Sequence, residues 1–300
     1  MLFVLSRVLP FFLIIGAGGL AARLKLLDAA AAQGLSRYVY WIGFPALLIF
    51  GLSHAAPPSL ADARGLGAYV AAAALPLLLT IGLGRALNWP REVRAGAAMA
   101  ATVGNTAFLG LPLTVSVLGE DARSAASAIM AIDAVILLSC SVGVIRGAGA
   151  LKSVAGNPVV VAALVGAIML AAGLVLPGPI DAAAGALAAT ASPVALVALG
   201  AVLTLEAGHA PRAELPPVAW AAASKLLVSP ALVWIATGLV GASAAFRTVA
   251  VLMAACPTAV TVFVQARAYG VFARGAAQVV ALATLASAVT LTLLAGWLTA

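Results

Sequence analysis

Charged side chains make up only 8% of this 300-residue chain, against roughly 25% in a soluble domain. No stretch is long or polar enough to form a separate soluble unit. Cysteine is nearly absent. Cys140 and Cys256 both lie in apolar runs, with no disulfide framework or metal-ligand spacing, and read as small buried hydrophobes. Acidic residues are few as well, 9 against 16 Lys and Arg, for a formal charge of +7. That imbalance does not indicate nucleic acid, because no basic patch is interleaved with aromatics. Recognisable catalytic sets are missing too: no HExxH, no GxSxG and no paired intramembrane aspartates. Neither an enzyme activity nor a cofactor or metal is therefore expected, although an intramembrane enzyme stays open as the alternative from a different functional class.

What the chain has is apolar length. Hydrophobic residues make up 64% and the mean hydropathy is +1.17. Ten apolar segments are predicted: 2–22, 35–52, 66–87, 93–118, 122–145, 159–176, 183–205, 218–240, 245–266 and 273–300. These are continuous runs of helical length, and not the alternating segments of about ten residues that a strand barrel needs. Abundant Ala and Gly suit a compact bundle of closely packed helices. The first segment, with Arg7 before an apolar run, mimics a signal peptide. Removing it would leave nine spans, so it is read as the first of ten. The expected fold is an all-α integral membrane protein, one domain over residues 1–300 in the lipid bilayer.

Two segments are interrupted at matching places. Arg94 precedes Gly104 by ten positions, and Arg247 precedes Pro257 by ten. Gly119 and Gly270 then end the segments, each followed four residues on by Arg123 or Arg274. Gly relaxes the backbone and Pro removes a donor, so each break frees polar backbone groups at membrane depth. Such groups persist only inside protein or facing a polar cavity. Pro112, in the first of these segments, is read with Gly104 and Pro257 as a helix-break residue. Further matches are Pro45 and Gly51 against Pro193 and Gly200, and Pro76 against Pro230. Five spans per half is an odd number, so the second half enters the membrane upside down. The expectation is two inverted five-helix repeats, approximately 1–150 and 151–300, with discontinuous helices 4 and 9 crossing near the midplane.

Eleven cationic residues fall on one side of this topology: Arg23, Lys25, Arg37, Arg85, Arg91, Arg94, Arg146, Lys152, Arg212, Arg267 and Arg274. Four fall on the other: Arg7, Arg64, Arg123 and Arg247. The bias places both termini outside the cytoplasm. Asp133 and Lys225 lie within spans, each at a cost of roughly 2.5–3.5 kcal/mol on insertion scales. They read as an ion or substrate site, or as a structural buried pair, or else Lys225 snorkels to one interface. Asn105 and Thr106 at the first break, with Thr258 and Thr261 near the second, are the other candidates. Asn105 offers both donor and acceptor, so it can hold a carboxylate or simply cap the following half-helix. Half-helix N-termini favour an anion there. Gln265 reads as interfacial, and His54 and His209 as solvated loop residues. Thr284, Ser287 and Thr290 either line a cavity or bond back to their own helix.

These residues resemble a known family. Asn105–Thr106–Ala107–Phe108–Leu109–Gly110–Leu111–Pro112, ending at Gly119, is similar to the fourth-helix motif of the auxin efflux carrier family. Cys256–Pro257–Thr258, with Ala266, Tyr269 and Gly270, is similar to its ninth-helix motif. Pro45, the run from Lys225 to Pro230, and Thr284, Ser287 and Thr290 also fit. The resemblance covers the whole chain. It implies a secondary transporter with crossed helices 4 and 9, and elevator-like movement against a scaffold of helices 1, 2, 6 and 7. It also implies a small organic anion as substrate, auxin-like or a carboxylate such as malonate, with a proton or sodium as the coupling ion and a homodimer as a compatible assembly. A bile-acid-symporter type of carrier shares the crossed-helix plan. The central connection, Arg146–Asn157, is too short for the long hydrophilic loop of some plant members, which points to a bacterial inner-membrane form.

Overall fold

The computed structural model describes residues 2–137, 139, 143, 156–206 and 215–299. Cys140, Arg146, Lys152, His209, Arg212 and the end of the fifth predicted segment lie outside the described residues. So does most of the Arg146–Asn157 connection.

The described residues form helices throughout: α1 (Leu2–Arg23), α2 (Ala29–Ser53), α3 (Leu60–Ala86), α4 (Arg91–Thr102) and α5 (Thr106–Leu118). There follow α6 (Arg123–Ile132, continuing through a wide turn Asp133–Leu137), α7 (Pro158–Ala172) and α8 (Gly178–Glu206). The last four are α9 (Leu215–Leu239), α10 (Ala244–Ala254), α11 (Val260–Ala268) and α12 (Ala273–Leu298). Several begin where a short polar side chain satisfies a free amide. Asp28 accepts from the Ala31 N–H, Ser59 from Asp62, Asn157 from Val159 and Ser243 from Phe246.

Six helices (α1, α2, α3, α8, α9 and α12) are long and apolar enough to cross a membrane, while α5, α7 and α10 are shorter apolar helices. The difference from ten uniform spans has local causes. The fourth and ninth segments are each split in two, and a left-handed Gly173 (φ 64°) stops α7 at Ala172.

Prolines that matched between the halves do different things. Pro45, Pro112 and Pro230 each sit two residues after a five-residue π turn: Val39–Gly43, Thr106–Gly110 and Ser224–Val228. A proline cannot donate to the carbonyl four residues back and its ring crowds that oxygen. The wider turn, closed by Phe44 to Val39, Leu111 to Thr106 and Ser229 to Ser224, accommodates it. Pro76 and Pro193, by contrast, lie inside uninterrupted α-helix. Pro112 thus opens the regular part of α5 and does not lie at the helix break.

Small residues set the helix separations. A Cβ on Gly200 of α8 would land on the Ile15 carbonyl of α1, and one on Gly18 would land on the Val197 carbonyl. The two backbones therefore touch, as in membrane helix pairs without bulky interfaces. Around the breaks the core is rich in alanine: Ala97, Ala98, Ala100 and Ala101 of α4 and Ala250 and Ala254 of α10 are all fully buried. Many large apolar residues face outward as well, among them Phe3, Leu13, Leu78, Ile168, Leu285 and Trp297. This inversion of the soluble pattern is what a lipid environment permits. At the connection before α6, Arg123 grips Glu120 through two hydrogen bonds (2.6 and 2.9 Å) and holds its carboxyl below the ordinary range.

Candidate functional site

The two breaks meet. Gly104 and Thr258 form an isolated antiparallel bridge. The Asn105 N–H donates to the Pro257 carbonyl at 2.8 Å, and the Ala259 N–H donates to the Val103 carbonyl at 3.1 Å. Each interrupted helix thereby satisfies the other's freed backbone groups, which hydrocarbon could not do. Thr258 adds a side-chain bond, its hydroxyl donating to the Ala100 carbonyl at 2.8 Å near the end of α4. Its hydroxyl proton is therefore committed to holding the crossing together.

Asn105 is placed differently. Its backbone is fully used, with its carbonyl accepting from Leu109 and Gly110 (3.2 and 3.0 Å), yet its side chain makes no capping bond. Asn105 is 4% exposed at the crossing, and its side-chain amide is not spent on capping the turn that follows. Thr106, also buried, begins the π turn that follows.

Lys225 reaches this crossing from α9. Its Nζ donates to the Ala254 carbonyl, the C-terminal residue of α10, at 2.6 Å. A cation at a helix C-terminus is favourably placed. The side chain also lies over Gly104, where a Cβ would sit 2.8 Å from Cε and 2.9 Å from Nζ. Lys225 is 2% exposed and does not snorkel.

Asp133 opens the wide turn of α6. Its carboxylate accepts from the Tyr69 hydroxyl at 2.9 and 3.0 Å, and Thr106 lies close by. No nitrogen of Lys225 comes within 4 Å of it, although the two charges feel each other across the gap. They are therefore not a direct ion pair. Thr106, Asp133 and Lys225 all lie on π turns, a departure from regular helix that is frequent at functional sites.

A cavity of about 840 Å³ opens beside the crossing, between α2, α7 and α8 on one side and α11 on the other. One face of α2 supplies Gln33, Ser36, Arg37 and Tyr40, and α11 and the residues after it supply Thr261, Gln265, Arg267 and Tyr269. The buried Gln265 Oε1 and Ser139 Oγ in this wall have no hydrogen-bond partner. At its inner end the cavity meets Phe44 and Phe108, an edge-to-face pair with centroids 4.9 Å apart. Phe108 lies three residues beyond Asn105, in the π turn that follows the break.

A family model described as "Membrane transport protein" matches residues 3–155 and 150–295. The chain belongs to this membrane transport protein family. A protein of Rhizobium meliloti (strain 1021) named "Putative malonate transporter" is 28% identical over 302 residues, covering 95% of this chain and 92% of that one. The resemblance drawn from the motifs around Asn105 and Pro257 is borne out at the level of the family, and the helices are those of an integral membrane transport protein.

Of the sequence-predicted residues of this transporter, Asn105, Thr106, Thr258, Asp133, Lys225, Gly104 and Pro257 gather at or beside the crossing. Thr261 and Gln265 line the cavity instead, so Gln265 is not merely interfacial. Ser287 bonds back to the Thr284 carbonyl at 2.7 Å, and Thr284 and Thr290 have unpartnered hydroxyls away from the cavity wall. His54 is not a free loop residue: it stacks on Phe50 and lies 3.4 Å from Asp181. Cys256 is fully buried, its thiol 3.5 Å from the Leu252 carbonyl. The sequence reading missed Tyr69, a lone hydroxyl in an apolar span that an intramembrane acid should have directed attention to. It also missed Gln33, Ser36, Arg37 and Tyr40, whose i, i+3, i+4, i+7 spacing marks one polar helix face.

Proposed function

We propose that this protein is a secondary transporter of a small organic anion, a carboxylate or dicarboxylate of malonate size or an auxin-like acid. The observation that carries the reading is the meeting of the Lys225 ammonium and the Asn105 amide at one crossing. A carboxylate between them would receive a charge-assisted bond and an amide donor. The N-termini of α5 and α11, which begin beside the crossing, add partial positive charge. The name of the Rhizobium relative agrees with an anion of this class.

Transport would use ten spans in two inverted halves, with the crossing carried by the moving part. The cavity follows the boundary that such a division requires, with α2, α7 and α8 on the fixed side and α5 and α11 on the mobile side. Its Arg37 and Arg267 lie on the cation-rich side, so the open cavity corresponds to a cytoplasm-facing state of a protein in a bacterial inner membrane, its termini outside.

The test is uptake of labelled malonate and related carboxylates into proteoliposomes, preceded by a thermal-shift screen. A ligand at about 100 times its Kd should stabilise the folded protein by roughly 2.7 kcal/mol. If no carboxylate stabilises or enters while the protein melts cooperatively, the anion reading fails. Turnover of a carboxylate without vectorial movement would instead make it an enzyme.

A further inference from the structure

We propose that Asp133 is the proton-binding group of the transport cycle, so that the organic anion travels together with a proton. The inference rests on the anion site proposed above and names its coupling ion. Asp133 is 5% exposed, and among the described residues no cation stands within 4 Å of its carboxylate. Its hydrogen-bonding partner is the Tyr69 hydroxyl, which reaches both carboxylate oxygens, and Thr106 lies beside it. A hydroxyl can rotate to donate to a carboxylate or accept from a carboxylic acid. Tyr69 therefore serves both protonation states without rearranging the backbone, as an arginine or an amide N–H could not.

The other titratable groups facing Asp133 are Lys225 of α9 and Cys256, beside the second break. Helix α7, packed against the same turn, brings no titratable residue. A metal cation is poorly suited here. Lys225 already places a positive charge nearby, which repels a second cation.

Coupling follows from charge. An anion held by Lys225 and Asn105 and an ionised Asp133 are two negative groups sharing one buried cation. Transfer of one proton from water to an Asp133 carboxylate oxygen removes the like charge and leaves Lys225 to the substrate. Proton and anion then favour each other's binding, reciprocally. Thr106, adjacent in sequence to Asn105, links the protonation state to the start of the broken helix.

Malonate binding to the purified protein, measured calorimetrically in buffers of different ionisation enthalpy, should show about one proton taken up per anion. Affinity should rise as pH falls, approaching about tenfold per pH unit in the coupled range. Asp133→Asn, which mimics the protonated acid, should abolish both proton uptake and pH dependence. Tyr69→Phe should shift the pH profile while keeping it. Unchanged proton uptake in Asp133→Asn, or sodium dependence in place of pH dependence in the wild type, overturns the proposal. Infrared difference spectra of ligand-free protein between about pH 5 and about pH 8 test it without malonate. A protonated-carboxyl band absent from Asp133→Asn supports it even if malonate is not the substrate, and no such band in the wild type overturns it.

Discussion

Replacing Gly104 with alanine would put a methyl carbon 2.8 Å from Cε and 2.9 Å from Nζ of Lys225. Comfortable carbon contacts are about 3.5–4.0 Å, so something must move by roughly 1 Å. The backbone cannot move easily, being pinned by Asn105 to Pro257 on one side and Ala259 to Val103 on the other. Lys225 must yield, and its bond to the Ala254 carbonyl, now 2.6 Å, would stretch past the useful limit of about 3.2 Å. Losing a hydrogen bond from a charged group costs about 1.5–3 kcal/mol. Gly104 does not adopt a positive φ, so alanine is tolerated by the backbone and recovers about 0.4–1 kcal/mol through the unfolded state. The net expectation is about 1–2 kcal/mol of destabilisation, on the order of 5 °C in melting temperature at roughly 2–4 °C per kcal/mol. Thermal melts followed by tryptophan fluorescence should be compared for wild type, Gly104→Ala, Lys225→Ala and the double variant. With the lysine gone, the alanine has nothing to strike, so its cost should vanish in that background. Additivity within about 0.5 kcal/mol would refute the steric coupling.

Four further outcomes are expected. Asn105→Ala should weaken carboxylate binding by roughly 10- to 150-fold, the equivalent of about 1.5–3 kcal/mol; calorimetry on well-folded protein showing wild-type affinity would remove Asn105 from the site. Thr258→Ala should instead lower melting temperature more than affinity, because its hydroxyl holds Ala100 and not the ligand; the reverse ranking would count against that division. Gly200→Leu should prevent α8 from seating on the Ile15 carbonyl and abolish folded yield in size-exclusion chromatography, whereas a monodisperse, active variant would contradict the close approach. For orientation, single cysteines introduced at Asn88 and Gly241 should differ in intact cells, with only the Gly241 position reached by an impermeant thiol reagent.

The helices were legible because hydropathy reports burial in lipid directly: predicted segments such as 183–205 and 273–300 agree closely with Gly178–Glu206 and Ala273–Leu298. The breaks at Gly104 and Pro257 were legible because Gly and Pro act on their own backbone. Partners were not. Tyr69 and Asp133 are 64 residues apart in sequence, and Lys225 and Ala254 are 29. Both contacts depend on how helices rotate against each other, which hydropathy does not encode. For the same reason Asp133 and Lys225 were recognisable as intramembrane charges, but not as groups serving different neighbours. Arg37 was read only as a topological charge, since nothing in a single helix shows that its polar face will meet α11 across a cavity.

The reciprocal pairing of the two breaks bears on how the protein is made. Val103 and Asn105 belong to the first half of the chain, while Pro257 and Ala259 lie near its end; Thr258 and Ala100 are 158 residues apart. At about 5–20 residues per second of synthesis, the first break waits on the order of ten seconds or more before its partner exists. Throughout that interval the Val103 carbonyl lacks its final donor and the Asn105 N–H its final acceptor, each a matter of several kcal/mol in hydrocarbon. The α4–α5 pair cannot rest in lipid in its finished form. It must stay near water, the insertion machinery or a temporary partner until α10 and α11 arrive, so completion of the crossing is a late event that commits both halves at once.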